Sequence, residues 1–521
     1  MTDKICSAAD AVTSIKSGQA VASTGVIGWS TPDALLAALG NRFELTGSPN
    51  DLTFLFPVGT GDAMGIPGMD HVARVGLMKR IVSGSYINPR NPLTGLRPKL
   101  MELVKSNAIE AYSWPIGATM HWLREVARGG PGYLTRIGLG TYIDPRQQGG
   151  KFTGRATQDL VEVVNLRDEQ FLFYPSWPLD VAFVRASASD DLGNLSFERD
   201  PLVSSAVSMA MAVKASGGTV IAQVGELVPR GSRPAHAVRV PGELVDRVVV
   251  VPDQVMTTDV AFDAAYLGFD ATALTRIPQL PAGADKVVAR RVAREIRPRE
   301  MSIFGFGASS DAVLTMVEDG LLDGERLHEY SFTTEHGSFG GIVMSGWQFS
   351  ANISPIALLD GPSQFDFIDG GGCTFAALSF AEFDAVGNVN VSKFGSANPG
   401  AGGFIDIAHN AKRLVFAGTL TTAGLSVLAT DGKLEIKQEG SIRKFVERVE
   451  QVTYSVADGV ARGQQARIIT ERAVFDITRR GLDLVEVAPG IDPVRDVAAQ
   501  MSFPIHIPNT IPLMDESLFT P

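Results

Sequence analysis

Two distant stretches of this chain repeat one another, and that repetition limits its fold more than any other feature. Residues 184–197 read Val-Arg-Ala-Ser-Ala-Ser-Asp-Asp-Leu-Gly-Asn-Leu-Ser-Phe, and residues 378–391 read Leu-Ser-Phe-Ala-Glu-Phe-Asp-Ala-Val-Gly-Asn-Val-Asn-Val. Each copy carries Gly-Asn between apolar runs, at Gly193-Asn194 and Gly387-Asn388, which is a hairpin-like signal. A helical pattern ending on a basic residue and then a strand pattern follow each copy: 206–214 with 219–222, and 405–412 with 414–417. Ahead of them, Ala22-Ser-Thr-Gly-Val-Ile-Gly28 resembles Ser302-Ile-Phe-Gly-Phe-Gly307. Any two α/β domains share some pattern, but a shared order of several elements favours duplication. A cleft between two related units is then a natural place for a ligand.

The rest of the pattern fits this reading. Residues 8–15 and 32–39 have helical spacing, and 21–23, 248–251 and 413–417 are short β-branched runs. Strands alternating with helices argue for mostly parallel sheets. The chain has 521 residues, 45% of them hydrophobic, more than one compact core holds. Proline and glycine at 278–285 suit an exposed linker. The expected fold is α/β: two related open α/β domains with mostly parallel sheets, spanning 1–278 and 286–521, with the active site at the interface between them.

A formal net charge of −11 argues against nucleic acid as a partner. Any anionic ligand must be held locally, by helix N-termini or glycine-rich amide nests. Cys6 and Cys373 are the only cysteines, too few for a disulfide framework. Residues 1–12 lack the apolar run of a signal peptide. The apolar stretch 202–228 is interrupted by Lys214, Gly217, Gly218 and Glu226, which makes it a poor bilayer span. The expectation is a cytoplasmic protein without a membrane partner.

Two segments have the make-up of chemical sites. In Thr333-Thr-Glu-His-Gly-Ser-Phe-Gly-Gly341 a carboxylate follows a β-type run and precedes three glycines, which permit sharp bends and close ligand approach. Glu335 there can serve as acid, base or nucleophile; the plain alternative is a solvated turn. In Ala397-Asn-Pro-Gly-Ala-Gly-Gly-Phe-Ile-Asp406 glycine amides open a helix and can receive an oxyanion or phosphate; the alternative is a tight strand-to-helix turn. Cofactor motifs are weak: Gly59, Gly61 and Gly65 miss the dinucleotide spacing, and Gly305-Phe-Gly307 lacks a third glycine. No paired His/Cys metal spacing is present. Cys373 follows three glycines but reads as a buried, inert thiol. His121 and His336 read as local hydrogen-bonding residues.

Taken together, these segments resemble the family I coenzyme A transferases, in the form with both halves fused, and most of all the acetate, propionate and acetoacetate type. The resemblance covers nearly the whole chain. It is carried by Gly138-Leu-Gly-Thr-Tyr-Ile-Asp-Pro-Arg146 with Gly149-Gly-Lys151, by Ala284-Asp-Lys-Val-Val-Ala-Arg-Arg291 and by Glu335-His-Gly-Ser-Phe-Gly-Gly341. Further matches are Gly387-Asn-Val-Asn-Val-Ser-Lys-Phe-Gly395, Gly402-Gly-Phe-Ile-Asp-Ile-Ala-His-Asn-Ala-Lys412 and Ala488-Pro-Gly-Ile-Asp492. It implies that Glu335 is the nucleophilic glutamate of a Glu-x-Gly-x-x-Gly-Gly pattern and that Gly402 or Gly403 supplies an oxyanion-hole N–H. Gly305, Gly307, Asn398, Gly400 and Ile116 are the implied CoA and substrate contacts. CoA would lie mainly on the second half, with the first half closing the carboxylate pocket. The implied substrates are acyl-CoA thioesters, of short chain such as acetyl-CoA, and small carboxylic acids. No permanently bound cofactor or metal is implied, and the implied assembly is a homo-oligomer, a tetramer among the options.

The chain departs from the family at three places. Ser113-Trp-Pro-Ile-Gly117 carries Ile116 where the family usually has the glutamine of Pro-Gln-Gly, whose amide completes the oxyanion hole. Ser113 and His121 are the nearest substitute donors in sequence. Cys373-Thr374 stands where Leu-Asp is commoner, and the proline often found after Gly305 is missing. Two competing functions stay open: an acyl-CoA hydrolase on the same scaffold, and a non-catalytic CoA-binding protein, against which the retained Glu335 argues.

Overall fold

The structure, a computed structural model, describes residues 4–62, 64–86, 91, 94–268, 270–395, 397–478 and 481–520. Apolar runs bounded by glycine or proline form strands covered on both faces. Ala20–Ser23 and Val181–Ser189 are buried along their whole length, as parallel strands between helical layers must be. They belong to a nine-stranded sheet built from the first half. Its parallel centre runs Leu52–Phe56, Ala20–Ser23, Val181–Ser189, Thr219–Leu227, Arg247–Val250. A second nine-stranded sheet has the parallel centre Ser331–Thr333, Met301–Phe304, Phe375–Ser379, Arg413–Ala417, Gln465–Ile469. Both centres visit their strands in the same order, so the repetition in sequence is a repetition of topology.

The repeated Gly-Asn turns are also built alike. Asp190 Oδ1 accepts from the N–H groups of Leu192 and Asn194, both at 3.0 Å, and Asn194 Nδ2 donates to Asp190 Oδ2 at 2.9 Å. Asp384 Oδ1 accepts from Val386 and Asn388 at 3.1 and 2.9 Å, and Asn388 Nδ2 donates to Asp384 Oδ2 at 3.1 Å. An aspartate thus satisfies the turn amides in each copy.

The predicted elements differ mainly at their ends. The helix expected over 8–15 is α-helical only over Ala8–Ala11, capped by Ser7, and continues as a 3-10 turn, Val12–Ser14. The helix expected over 32–39 runs Asp33–Thr46, to a left-handed Gly47. Ala206–Ala215 and Phe404–Asn410 fall within two residues of expectation. The strand expected over 219–222 extends to Leu227, paired throughout with Val181–Ser189.

Two apolar cores result, and each takes residues from the other half. Val26, Trp29, Val58, Ile116 and Met120 join the core of the second half, while Ala401 and Ile405 join that of the first. Backbone bonds stitch the seam: Tyr86 N–H to Pro399 O at 2.7 Å, Tyr142 N–H to Val452 O at 2.8 Å and Gly361 N–H to Ser204 O at 2.9 Å. Among the described residues no helix is long and apolar enough to cross a membrane.

Candidate active site

Glu335 sits in the turn between Ser331–Thr333 and the antiparallel Ser338–Phe339. The turn is held from beneath. Thr333 Oγ1 donates to Ser338 O at 2.8 Å, Thr334 Oγ1 donates to Ser350 O at 2.8 Å, and buried Gln364 Nε2 donates to Thr334 O at 2.8 Å. The glycines that follow are dictated by geometry. Gly337, Gly340 and Gly341 all have positive φ. A Cβ would lie 2.2 Å from Leu359 O at Gly337 and 2.0 Å from Ile353 O at Gly341, so no side chain fits.

The glycine loop of the second segment lies against this carboxylate. A Cβ at Gly403 would stand 2.0 Å from Glu335 Oε2, so the backbone comes up to this carboxylate because glycine leaves space. Gly402 N–H donates to Gly84 O at 3.0 Å, and Gly402 O accepts from Ile116 N–H at 3.0 Å. These bonds tie the loop to the first half and leave Gly403 as the residue whose backbone faces Glu335.

Glu335, Gly305, Gly400, Gly402 and Gly403 line one cavity of about 410 Å³ at the seam. Its other walls are mostly apolar: Ile27 and Val58 from the first half, with Phe306, Trp347, Phe349 and Phe394 from the second. Two wall residues, Ile27 at φ 53° and Ser350 at φ 88°, hold left-handed backbone, a strained state for the β-branched side chain of Ile27. Glu335 is 15% exposed and His336 only 1%. The His336 Nε2 lies 3.3 Å from Glu335 Oε1. The contact is misaligned, and among the described residues neither ring nitrogen of His336 has a hydrogen-bond partner. An unpaired buried group of this kind typically costs about 1–3 kcal/mol.

Behind the glycine loop lies a second, buried acid. Asp406, 1% exposed, accepts from Gly117 N–H at 3.3 Å. Burial lifts its carboxyl well above the usual range, and the nearby carboxylates of Asp369 and Glu335 push the same way. Burial also raises Asp369, opposed by its hydrogen bond with His121.

The remaining predicted positions lie outside the cavity wall. Ile116 is buried behind Gly402, its Cδ1 4.0 Å from where a Gly402 Cβ would be. Gly307 caps the helix Ala308–Glu318 at φ 102°, and Asn398 is 8% exposed beside the glycine loop. Ser113 Oγ shares a hydrogen bond with Tyr142 Oη at 2.8 Å, and His121 Nε2 lies 3.1 Å from Asp369 Oδ2. Both potential donors are therefore engaged, and neither reaches the cavity wall. His336, Asp406, Phe306 and Phe394 lie inside segments singled out in the sequence, but nothing in those segments marked these side chains as part of the site, and Trp347 and Phe349 had no such segment. Among the described residues no group of His, Cys, Asp or Glu side chains is arranged to hold a metal ion.

Comparison with known proteins gives concordant matches. The family model described as Coenzyme A transferase matches residues 5–251. Acetate CoA-transferase YdiF of Escherichia coli (strain K12) is 38% identical over 487 residues, covering 93% of this chain and 89% of that protein. Caffeate CoA-transferase of Acetobacterium woodii is 36% identical over 527 residues, covering 99% and 97%. The crystal structure of the YdiF acyl-CoA transferase from E. coli O157:H7, a thioester complex with CoA, superposes with a TM-score of 0.89 at 36% identity, covering 99% of this chain and 96% of that one.

Proposed function

The chain belongs to the coenzyme A transferase family and is an enzyme that transfers CoA, and on that premise we propose that it exchanges CoA between carboxylic acids through a thioester on Glu335. The observation that carries the proposal is the placement of Glu335 in the seam cavity, its Oε2 against the Gly403 backbone. The relative solved as a thioester complex with CoA supports the same chemistry.

In the proposed cycle the Glu335 carboxylate attacks the acyl-CoA carbonyl carbon and expels CoA thiolate, leaving an acyl-glutamyl anhydride. The thiolate attacks the glutamyl carbonyl carbon and expels the acyl group as a free carboxylate, leaving glutamyl-CoA. An incoming carboxylate runs the steps in reverse, and no net proton is taken up. Each step passes through a tetrahedral oxyanion; where it forms on the acyl carbon, the Gly403 N–H is the backbone donor, and one such donor typically contributes about 3–4 kcal/mol. The seam protects the anhydride and thioester from water.

On this reading acetyl-CoA is a donor, and the acceptor is a carboxylic acid whose apolar part lies against the cavity's aromatic walls. Related proteins named for acetate and for caffeate bracket that range. The proposal includes a division into halves at 278–286, a cytoplasmic location and assembly as a homo-oligomer.

The test is to mix the enzyme with acetyl-CoA in the absence of acceptor. CoA should load onto the peptide containing Glu335, initial rates with added acid should be ping-pong, and Glu335→Ala should abolish both adduct and turnover. An adduct elsewhere, or an active Glu335→Ala, refutes the assignment. Free thiol accumulating without acceptor would point to hydrolysis.

A further inference from the structure

The altered oxyanion corner raises a question that the cavity itself answers. Ile116 has no side-chain donor, and it lies behind Gly402 instead of on the wall. The two nearest substitutes in sequence are engaged, Ser113 with Tyr142 and His121 with Asp369. One buried side-chain N–H group on the wall has no partner among the described residues: the imidazole of His336.

We propose that His336 is a catalytic residue that donates from Nε2 to Oε1 of Glu335 as that oxygen becomes an oxyanion, replacing the donor that Ile116 cannot supply. The inference rests on Glu335 being the acyl carrier. In two of the four chemical steps the nucleophile adds to the glutamyl carbon itself. When CoA thiolate attacks the anhydride, the C–S bond forms and the carbonyl π electrons move onto the glutamyl oxygen that stays double-bonded. They return as the carboxylate leaves. The two oxygens of Glu335 are flanked differently: Oε2 by the Gly403 backbone, Oε1 by His336 Nε2 at 3.3 Å. If Oε2 is the oxygen acylated in the anhydride, Oε1 is the one that carries the developing charge.

The present contact is too misaligned to count as a hydrogen bond, and catalytic contacts commonly tighten only when the reacting complex forms. An N–H that is dry, fixed and unspent in the resting enzyme is the type of donor that favours a transition state over the ground state. The turn that carries it is braced by Gln364 and by Thr333 and Thr334, so little reorganisation is needed. The tautomer required has its proton on Nε2, with Nδ1 left as an acceptor.

The experiment compares His336→Leu, His336→Gln and His336→Asn, with acetyl-CoA and propionate as substrates. It follows steady-state turnover and the rate at which CoA loads onto the Glu335 peptide. A glutamine places its amide nitrogen near the position of Nε2; an asparagine places it near Nδ1. The expected result is a hundred- to thousandfold fall in kcat and in loading rate for His336→Leu, with KM values within a few-fold of the parent. His336→Gln should recover most of the loss, and His336→Asn should not. If the leucine variant does not fold, the glutamine–asparagine difference carries the test. A leucine variant as fast as the parent overturns the proposal, and so does an equal loss in all three variants. Wild-type loading at a residue other than Glu335 would mean that the underlying reading had failed; loading on Glu335 that ignores position 336 would mean that this inference alone had failed.

Discussion

Burial decides which side chains near the seam can react. Cys373 follows three glycines and is close in sequence to the strand Phe375–Ser379, yet it is only 2% exposed and burial pushes its thiol up to about 12. At pH 8 its thiolate fraction is therefore about one in ten thousand, and the thiolate is the reactive form. Native enzyme treated with iodoacetamide at pH 8 should be modified at Cys6, which is partly exposed, while Cys373 stays unlabelled until the chain is unfolded. Rapid native labelling of Cys373, with loss of turnover, would contradict this account. The turn that carries Glu335 could be read from the sequence because its pattern has a steric cause, three glycines whose Cβ atoms would clash or whose φ is positive; the role of the glutamate itself came only from the resemblance to the family. His336 could not, because a histidine beside a glutamate gives no sign of which groups the turn will bury.

At the level of strands and helices, the duplicated pattern was legible because it is set by local rules: Gly-Asn turns, buried apolar runs and helices ending on a basic residue. The antiparallel extension Ala473–Thr478 with Gly481–Val487 was not, since its alternation is weak and its partners are decided by the sheet edge. Nor was the helix-to-helix contact at which Asp406, in Phe404–Asn410, accepts from the first turn of Ile116–Ala127. That contact has a pH signature. The native fold holds the Asp406 proton more tightly than the unfolded chain does, through burial and then the Asp369 carboxylate. Stability should therefore fall as pH rises from about 4 toward the raised native value. Asp406→Asn removes the ionising group but keeps an acceptor for Gly117. Its melting temperature should exceed that of the parent at pH 8, with a smaller difference at pH 5. A constant difference across that range would show that Asp406 does not titrate with folding.

The whole molecule matters because neither half makes the cavity alone. Ile27, Val58, Ser85 and Tyr86 come from the first half, and the glutamate, the glycine loop and the aromatic walls come from the second. No single motif could have disclosed its size or polarity, which depend on how two separately legible halves meet. Phe306, Trp347, Phe349 and Phe394 give about 410 Å³ of mainly apolar surroundings, and a small acid such as acetate would leave much of that wall in contact with water. Each methylene that an acid adds against such a surface is worth about 0.8 kcal/mol, or about fourfold in binding. With acetyl-CoA held fixed, kcat/KM should therefore climb from propionate through butyrate to hexanoate, and phenyl-bearing acids should rank with the longer chains. Trp347→Ala should flatten that series while leaving the propionate value within a few-fold. If the pantetheine arm of CoA fills those walls instead, the series will be flat in the parent enzyme. The slope of log kcat/KM against chain length thus reports which of the two ligands occupies the aromatic wall.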